Sequence, residues 1–188
     1  MKFEIERGCF EFIKKKKRRQ LLMTFAMLLV GILMFIVGLF MNQFERSNLL
    51  TMLAILMVLP ATKYFVGFIV VFPYKSVSRE RYEHIKSLIS DNTILFTDMV
   101  FTSSDKVMNL DFMIITDNQL IGLLGKKKQD IKYMENYLKE TLTVNKIEGY
   151  TVKIFEDEKK FENCIPTKKF EKSDLQQKTF MTIRTLIV

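Results

Sequence analysis

The chain has 188 residues, 48% of them hydrophobic and 27% charged, with a net charge of +8. That length accommodates one modest domain plus a pair of membrane helices. Its two cysteines, Cys9 and Cys164, lie far apart on no metal-ligand spacing, which excludes a disulfide framework and a cysteine-based zinc site and suits reduced thiols. The charge does not describe a nucleic-acid surface either. Residues 1–20 carry eight Lys/Arg against three Glu, while residues 75–188 carry nineteen against seventeen, so the excess belongs to the N-terminal tail.

Residues 1–13 mix apolar and acidic positions. Phe3, Phe10 and Ile13 share a face if this stretch is helical, as an interfacial helix at a membrane surface requires, whereas Gly8 favours a loose tail. Six consecutive cations follow: Lys14, Lys15, Lys16, Lys17, Arg18 and Arg19. By the positive-inside rule they hold the N-terminus in the cytoplasm, and each is worth about 1 kcal/mol of attraction to anionic lipid headgroups.

Two apolar runs come next, Leu21–Met41 and Leu49–Phe72, separated by the polar segment 42–48. Each exceeds the roughly 18–20 residues that a helix needs to cross a hydrocarbon core. The connector is too short for a domain, so the two are expected to form a helical hairpin. A cleaved signal peptide would have a shorter apolar region and a small-x-small cleavage site. The first run instead ends Leu39-Phe40-Met41 and is expected to stay as an anchor.

Gly31 and Gly38 in the first run, and Ala54 and Ala61 in the second, are seven residues apart and share a face. Small residues let helix backbones approach closely in lipid, which serves packing of the hairpin on itself or a homo-oligomer. The second run contains Pro60, expected to kink the helix, and Lys63. Lys63 is expected roughly 16–21 Å from either boundary. A charge that deep costs about 2.5–3.5 kcal/mol, which the surrounding apolar residues outweigh. Neither run contains Asp or Glu. Two sources of a partner stand open: backbone carbonyls freed by Pro60, or an acidic group on another membrane protein.

Lys75, Arg79 and Arg81 mark a second cationic flank, which places both termini in the cytoplasm. Residues 78–90 read as a helix with Tyr82, Ile85, Leu88 and Ile89 on one side; His84, off that stripe, is expected at a solvated surface. Asp91-Asn92 breaks the helix, and three strands are expected over 93–101, 107–116 and 119–124, with Asp117-Asn118 as a hairpin turn. Lys126–Lys128 form a lysine loop before a helix over 130–143 with the stripe Ile131, Met134, Leu138 and Leu142. A strand over 150–155 and a short helix over 157–163 follow. Ser173 caps a last helix reaching about residue 184, and Leu186–Val188 continues it or forms a short strand.

The order helix, three strands, helix, strand over 78–155, with the stretch Asn109-Leu-Asp-Phe-Met-Ile-Ile115, resembles restriction-endonuclease-like proteins, including nuclease-related domains attached to bacterial membrane segments. The resemblance implies a metal site made by an Asp on the second strand and a Glu-x-Lys on the third. Such carboxylates hold a divalent cation that activates the attacking oxygen. Asp111 occupies the first position. The third strand, Gln119-Leu-Ile-Gly-Leu-Leu-Gly125, has neither Glu nor Lys, and Lys126 falls just past its end, so the implied active site is degenerate.

No Gly-rich phosphate loop or histidine cluster occurs, and Cys164 and His84 carry no local signature of a nucleophile–base pair. The expectation is a two-span α-helical membrane hairpin in a bacterial cytoplasmic membrane, followed by a small cytosolic α/β (α-β-β-β-α-β) domain. Its expected divisions are a basic tail (1–20), the hairpin (21–74) and the α/β domain (75–188). The expected function is a non-enzymatic interaction or regulatory module, with no cofactor or metal. Anionic lipids and a protein partner or second copy are its expected partners, and nucleic acid is not. Its rivals are nucleic-acid binding by the degenerate nuclease-like domain and an accessory role in a transporter.

Overall fold

The computed structural model describes residues 7–41, 49–90, 93–116, 118–125, 129–166 and 173–188. The expected connector 42–48, the breaker Asp91-Asn92, the turn residue Asp117, Phe3 and the loop Lys126–Lys128 lie outside them. The chain divides into two compact units, Lys14–Pro73 and the pair of segments Met1–Ile13 and Tyr74–Val188. Residues 7–13 fall in the same unit as the α/β domain, whereas the expected basic tail runs to residue 20.

In the first unit, helix α1 (Phe12–Met41) carries the six cations in the same helix as the apolar run. The second run is two helices, α2 (Leu49–Leu56) and α3 (Val58–Val71), interrupted at Met57. Proline clashes with the carbonyl four residues back and leaves it without its N–H donor. For Pro60 that carbonyl is Leu56, so the break falls just upstream of the proline rather than at it. Small residues close the contact between the helices. A side chain on Gly31 would begin 3.3 Å from the Ala54 carbonyl oxygen and the Met57 Cβ. Ala54 and Ala61 are buried, while Leu22, Phe25, Ile55 and Leu59 point outward. By length and composition both runs can cross a membrane.

The second unit is built on a four-stranded sheet of order β1-β2-β3-β4: Ile94–Thr102, Val107–Ile115, Gln119–Leu124 and Thr151–Phe155. The first three strands are antiparallel, and β4 lies parallel to β3. Helix α4 (Arg79–Leu88) precedes the sheet, α5 (Ile131–Val144) crosses from β3 to β4, and α6 (Glu158–Asn163) and α7 (Asp174–Leu186) follow. Four of the expected starts are set by caps. Ser78, Asp130, Asp157 and Ser173 each accept a backbone N–H from the first turn of their helix.

Side chains alternate across a strand, so the sheet makes two apolar layers. Phe112, Ile114, Ile121 and Leu123 pack with Ile85 of α4 and Phe161 of α6. Their neighbours point the other way, where Phe180 of α7 stacks on Phe96 with ring centroids 5.1 Å apart. Met134, Leu138 and Leu142 of α5 are buried as the periodicity predicts.

Both outer edges of the sheet are occupied. Along β1, Thr97 donates to the Gly8 carbonyl at 2.9 Å, Val188 donates to the Val100 carbonyl at 3.0 Å, and Ile187 bridges Phe101. The end of α7 thus gives way to a strand-like pairing, one of the two expected alternatives. On β4, the Ile154 N–H donates to Glu135 Oε1 of α5 at 2.9 Å. Contacts of this kind blunt a sheet edge against pairing with other chains. Gly8 is required where it stands: its φ is +77°, and a Cβ would collide with the Phe96 ring.

Candidate functional site

The charged side chains that converge in the α/β unit do so where the sheet is irregular. The β1–β2 register runs Thr97↔Phe112 and then Met99↔Leu110, leaving Asp98 and Asp111 opposite each other. Asp98 adopts φ 54°, a conformation that Asp tolerates better than most residues. On its other side β2 pairs Leu110 with Leu124 and Phe112 with Leu123, so Asp111 is an extra residue, a β-bulge. Bulges re-aim side chains. This one turns Asp111 and Phe112 towards the same guanidinium, that of Arg81.

Arg81 organises the cluster from α4. Its Nη1 donates to Asp111 Oδ2 at 2.8 Å, and its Nε donates to Glu158 Oε1, in the first turn of α6, at 2.9 Å. The guanidinium lies 5.5 Å from the centre of the Phe112 ring. The Arg81 side chain is 37% exposed and that of Asp111 only 11%. Burial pushes the Asp111 carboxyl up, the Arg81 hydrogen bond and charge pull it down, and the Glu158 charge adds to the rise; the net direction is upward.

Asp98 is fully buried and plays a different part. Its Oδ1 accepts the Val77 N–H at 2.7 Å. Burial raises its pKa to about 6, against the pull of the Val77 N–H and the Ser76 hydroxyl. The Asp111 charge raises it further, and the Ile13 N–H opposes the rise. One carboxyl thus gathers the start of α1, the segment that leads into α4, and the middle of β1.

The position that faces Asp111, just past the end of β3, is Gly125. Its N–H donates to the Asn109 carbonyl at 3.3 Å, and a Cβ there would collide with Asn109 Oδ1 and Asp111 Oδ1. A side chain at that position would have to displace Asn109 or Asp111. Asn109 is itself locked: its Nδ2 donates to the Met99 carbonyl, and Gln129 bonds both its N–H and its C=O, as a neighbouring strand would. Among the described residues no group of three or more His, Cys, Asp or Glu is placed to hold a metal ion.

Lys126 lies outside the described residues. His84 is exposed and within hydrogen-bond distance of Glu162 at 3.1 Å, and Cys164 is exposed at the end of α6. In the hairpin unit Lys17 Nζ donates to the Phe72 carbonyl at 2.7 Å. Lys63 is exposed, with Pro60 one turn before it.

Sequence reasoning misses Asp98, Glu158 and the role of Arg81, which the sequence presents only as a flanking cation. An acid in the middle of the apolar run Ile94–Phe101 was the available signal for Asp98. An open groove of about 700 Å³, lined by Ile131, Phe155, Glu156, Asp157, Glu158 and Lys160, runs beside Glu158 at the end of β4. No protein-family model, curated protein or solved structure matches the chain.

Proposed function

We propose that the protein is an integral membrane protein, anchored by a two-span hairpin with both termini in the cytoplasm of a bacterium, and that its α/β unit is a non-enzymatic interaction or regulatory module. The observation that carries this reading is the exposure of the apolar helices. Only 17% of each apolar window is buried within the molecule, whereas the core helix of a soluble protein would be mostly covered. A surface of that extent needs lipid or protein around it. The orientation follows from Lys14–Arg19 before one span and Lys75, Arg79 and Arg81 after the other, with only Arg46 between the spans.

The non-enzymatic part rests on the geometry around Asp111. The Arg81 guanidinium takes up both Asp111 and Glu158, and the residue facing Asp111 at the end of β3 is Gly125, not an acid. Nucleic-acid binding by a degenerate nuclease-like fold is the second reading. It is favoured by the element order and by the parallel pairing of β3 with β4. The near balance of charge over residues 75–188 weighs against it.

A topology reporter active only outside the cytoplasm tests the anchor. It should be silent when fused after residue 188 and active when inserted near residue 47; activity at the C-terminal fusion overturns the orientation. For the module, Mg²⁺ or Mn²⁺ should leave the melting temperature unchanged. A rise of several degrees that Asp111→Ala abolishes would reinstate a metal site, since a ligand that binds the native state alone stabilises it.

A further inference from the structure

We propose that Lys63 is the docking point for a transmembrane helix of another membrane protein, one that carries an Asp or Glu at the same depth. The inference rests on the hairpin spanning a membrane. It begins from a charge left without a counterpart. Lys63 is exposed, and its ammonium makes no hydrogen bond or ion pair with any other described residue. The local remedy expected from Pro60 is not taken up: the Lys63 side chain bonds no backbone carbonyl of the described residues.

Depth and direction remove the second remedy, which is to reach the headgroups. The Lys17–Phe72 hydrogen bond marks the level at which the cationic flank meets the end of the hairpin. Lys63 lies nine residues from Phe72 and fourteen from Leu49, or about 13 Å and 21 Å along the helix. Side chains on a helix lean towards its N-terminus, so the Lys63 stem leans away from the nearer boundary and towards the farther one.

Charge complementarity then names the occupant. An ammonium held in hydrocarbon is matched by a carboxylate, and neither span contains Asp or Glu, so a second copy of this chain supplies none. Leu59 and Val66 of α3 are exposed on the same face as Lys63, at helical spacing. They form an apolar strip with one cation in it, on which a helix can pack while its acid meets the lysine. The pair forms in a medium where leaving either group alone is costly, so it gives specificity as well as affinity.

The test uses the full chain, reconstituted in phosphatidylcholine vesicles, and labelled polyleucine transmembrane peptides with a central Glu, Gln or Leu. Energy transfer reports association at pH 7.5. The Glu peptide should bind at least tenfold more tightly than the Gln and Leu peptides. That preference should vanish in Lys63→Met and persist in Lys63→Arg. Equal binding of the three peptides, or a Glu preference that survives Lys63→Met, overturns the proposal. Alkaline extraction of the same vesicles keeps the two failures apart: a chain released by carbonate refutes the membrane hairpin itself, whereas a retained chain with no Glu preference refutes only the docking point.

Discussion

The two units solve the same packing problem with opposite polarity. In the α/β unit Phe96, Phe101, Phe112 and Phe161 are fully buried between sheet and helices. In the hairpin the residues turned inward include small or polar ones such as Ala54, Ala61 and Thr24, and many leucines and phenylalanines, Leu22, Phe25 and Phe40 among them, face out. Burial of apolar surface from water stabilises the first arrangement. With the hairpin placed in a membrane, as proposed above, it gives nothing to helices already in hydrocarbon, where close approach of backbones matters instead. A residue's exposure therefore has no fixed meaning along this chain.

The largest expected effect breaks the comparison if it fails. Phe112→Ala should cost the α/β unit about 3–5 kcal/mol, since it removes a fully buried ring that Ile85 and Phe161 pack against. Phe25→Ala, at a position 62% exposed on α1, should cost about 1 kcal/mol or less. Hydrogen exchange of the β2 amides in the intact, reconstituted protein reads the first change, and resistance to alkaline extraction reads the second. Equal losses would mean that α1 is a core helix rather than a lipid-facing one.

The buried acids come next. The Asp98 carboxyl is raised from 3.8 to about 6 in the folded protein, so the folded chain holds this proton more tightly than the unfolded one. Its contribution is greatest below pH 3.8, falls as pH rises towards 6, and stays flat above that. The loss across this window is about 3 kcal/mol, from about 1.4 kcal/mol per unit. Asp98→Asn keeps an oxygen for the Val77 N–H and removes the titration. Its stability curve, followed by denaturant unfolding between pH 4 and pH 7, should lose most of that slope. A wild-type slope in the variant would assign it to another group.

Arg81→Met should cost about 2 kcal/mol, less than a fully buried pair because the guanidinium is partly exposed. A double-mutant cycle with Asp111→Asn should recover part of that cost, because removing both partners leaves no orphaned charge. Additive losses would show that Arg81 acts through its contact with the Phe112 ring instead.

These acids also show where the sequence was legible. Elements whose signal is periodic were readable: the stripe on α5, the apolar stretch Phe112–Ile115, and the Ser and Asp residues that open four helices. Asp111 was singled out by the resemblance, and the structure gives it a partner, Arg81, thirty residues earlier on α4. Asp98, Arg81 and Gly125 escaped for one physical reason. Their roles come from a bulge and an opposed pair, which shift register by a residue without leaving a pattern in the sequence. Gly8 escaped too. It reads as a weak point in a helix, yet it is needed because the Phe96 ring lies against it.

The smallest expected effect sharpens the comparison at the helix ends. Helices of the α/β unit start with side-chain caps, and Ser173 Oγ accepts the Gln176 N–H at 3.1 Å. Helix α3 starts at Met57, which has no side-chain cap and an αR backbone. The difference follows from what the first N–H groups meet. At α7 the chain enters the helix from an extended residue, so the first-turn donors have no earlier helical carbonyls to bond. At Met57 the turn continues from α2: Met57 donates to Leu53 at 3.1 Å, and Ala61 donates to Met57 at 3.4 Å. Ser173→Ala should therefore cost about 1 kcal/mol. Met57→Ser, which supplies a good cap where none is needed, should gain nothing and shift stability by no more than about 0.5 kcal/mol. Thermal melting of the reconstituted protein, with hydrogen exchange to assign each change to its unit, measures both. A clear gain from Met57→Ser would mean that donors at the start of α3 are unsatisfied and that the break at Met57 is a true helix end.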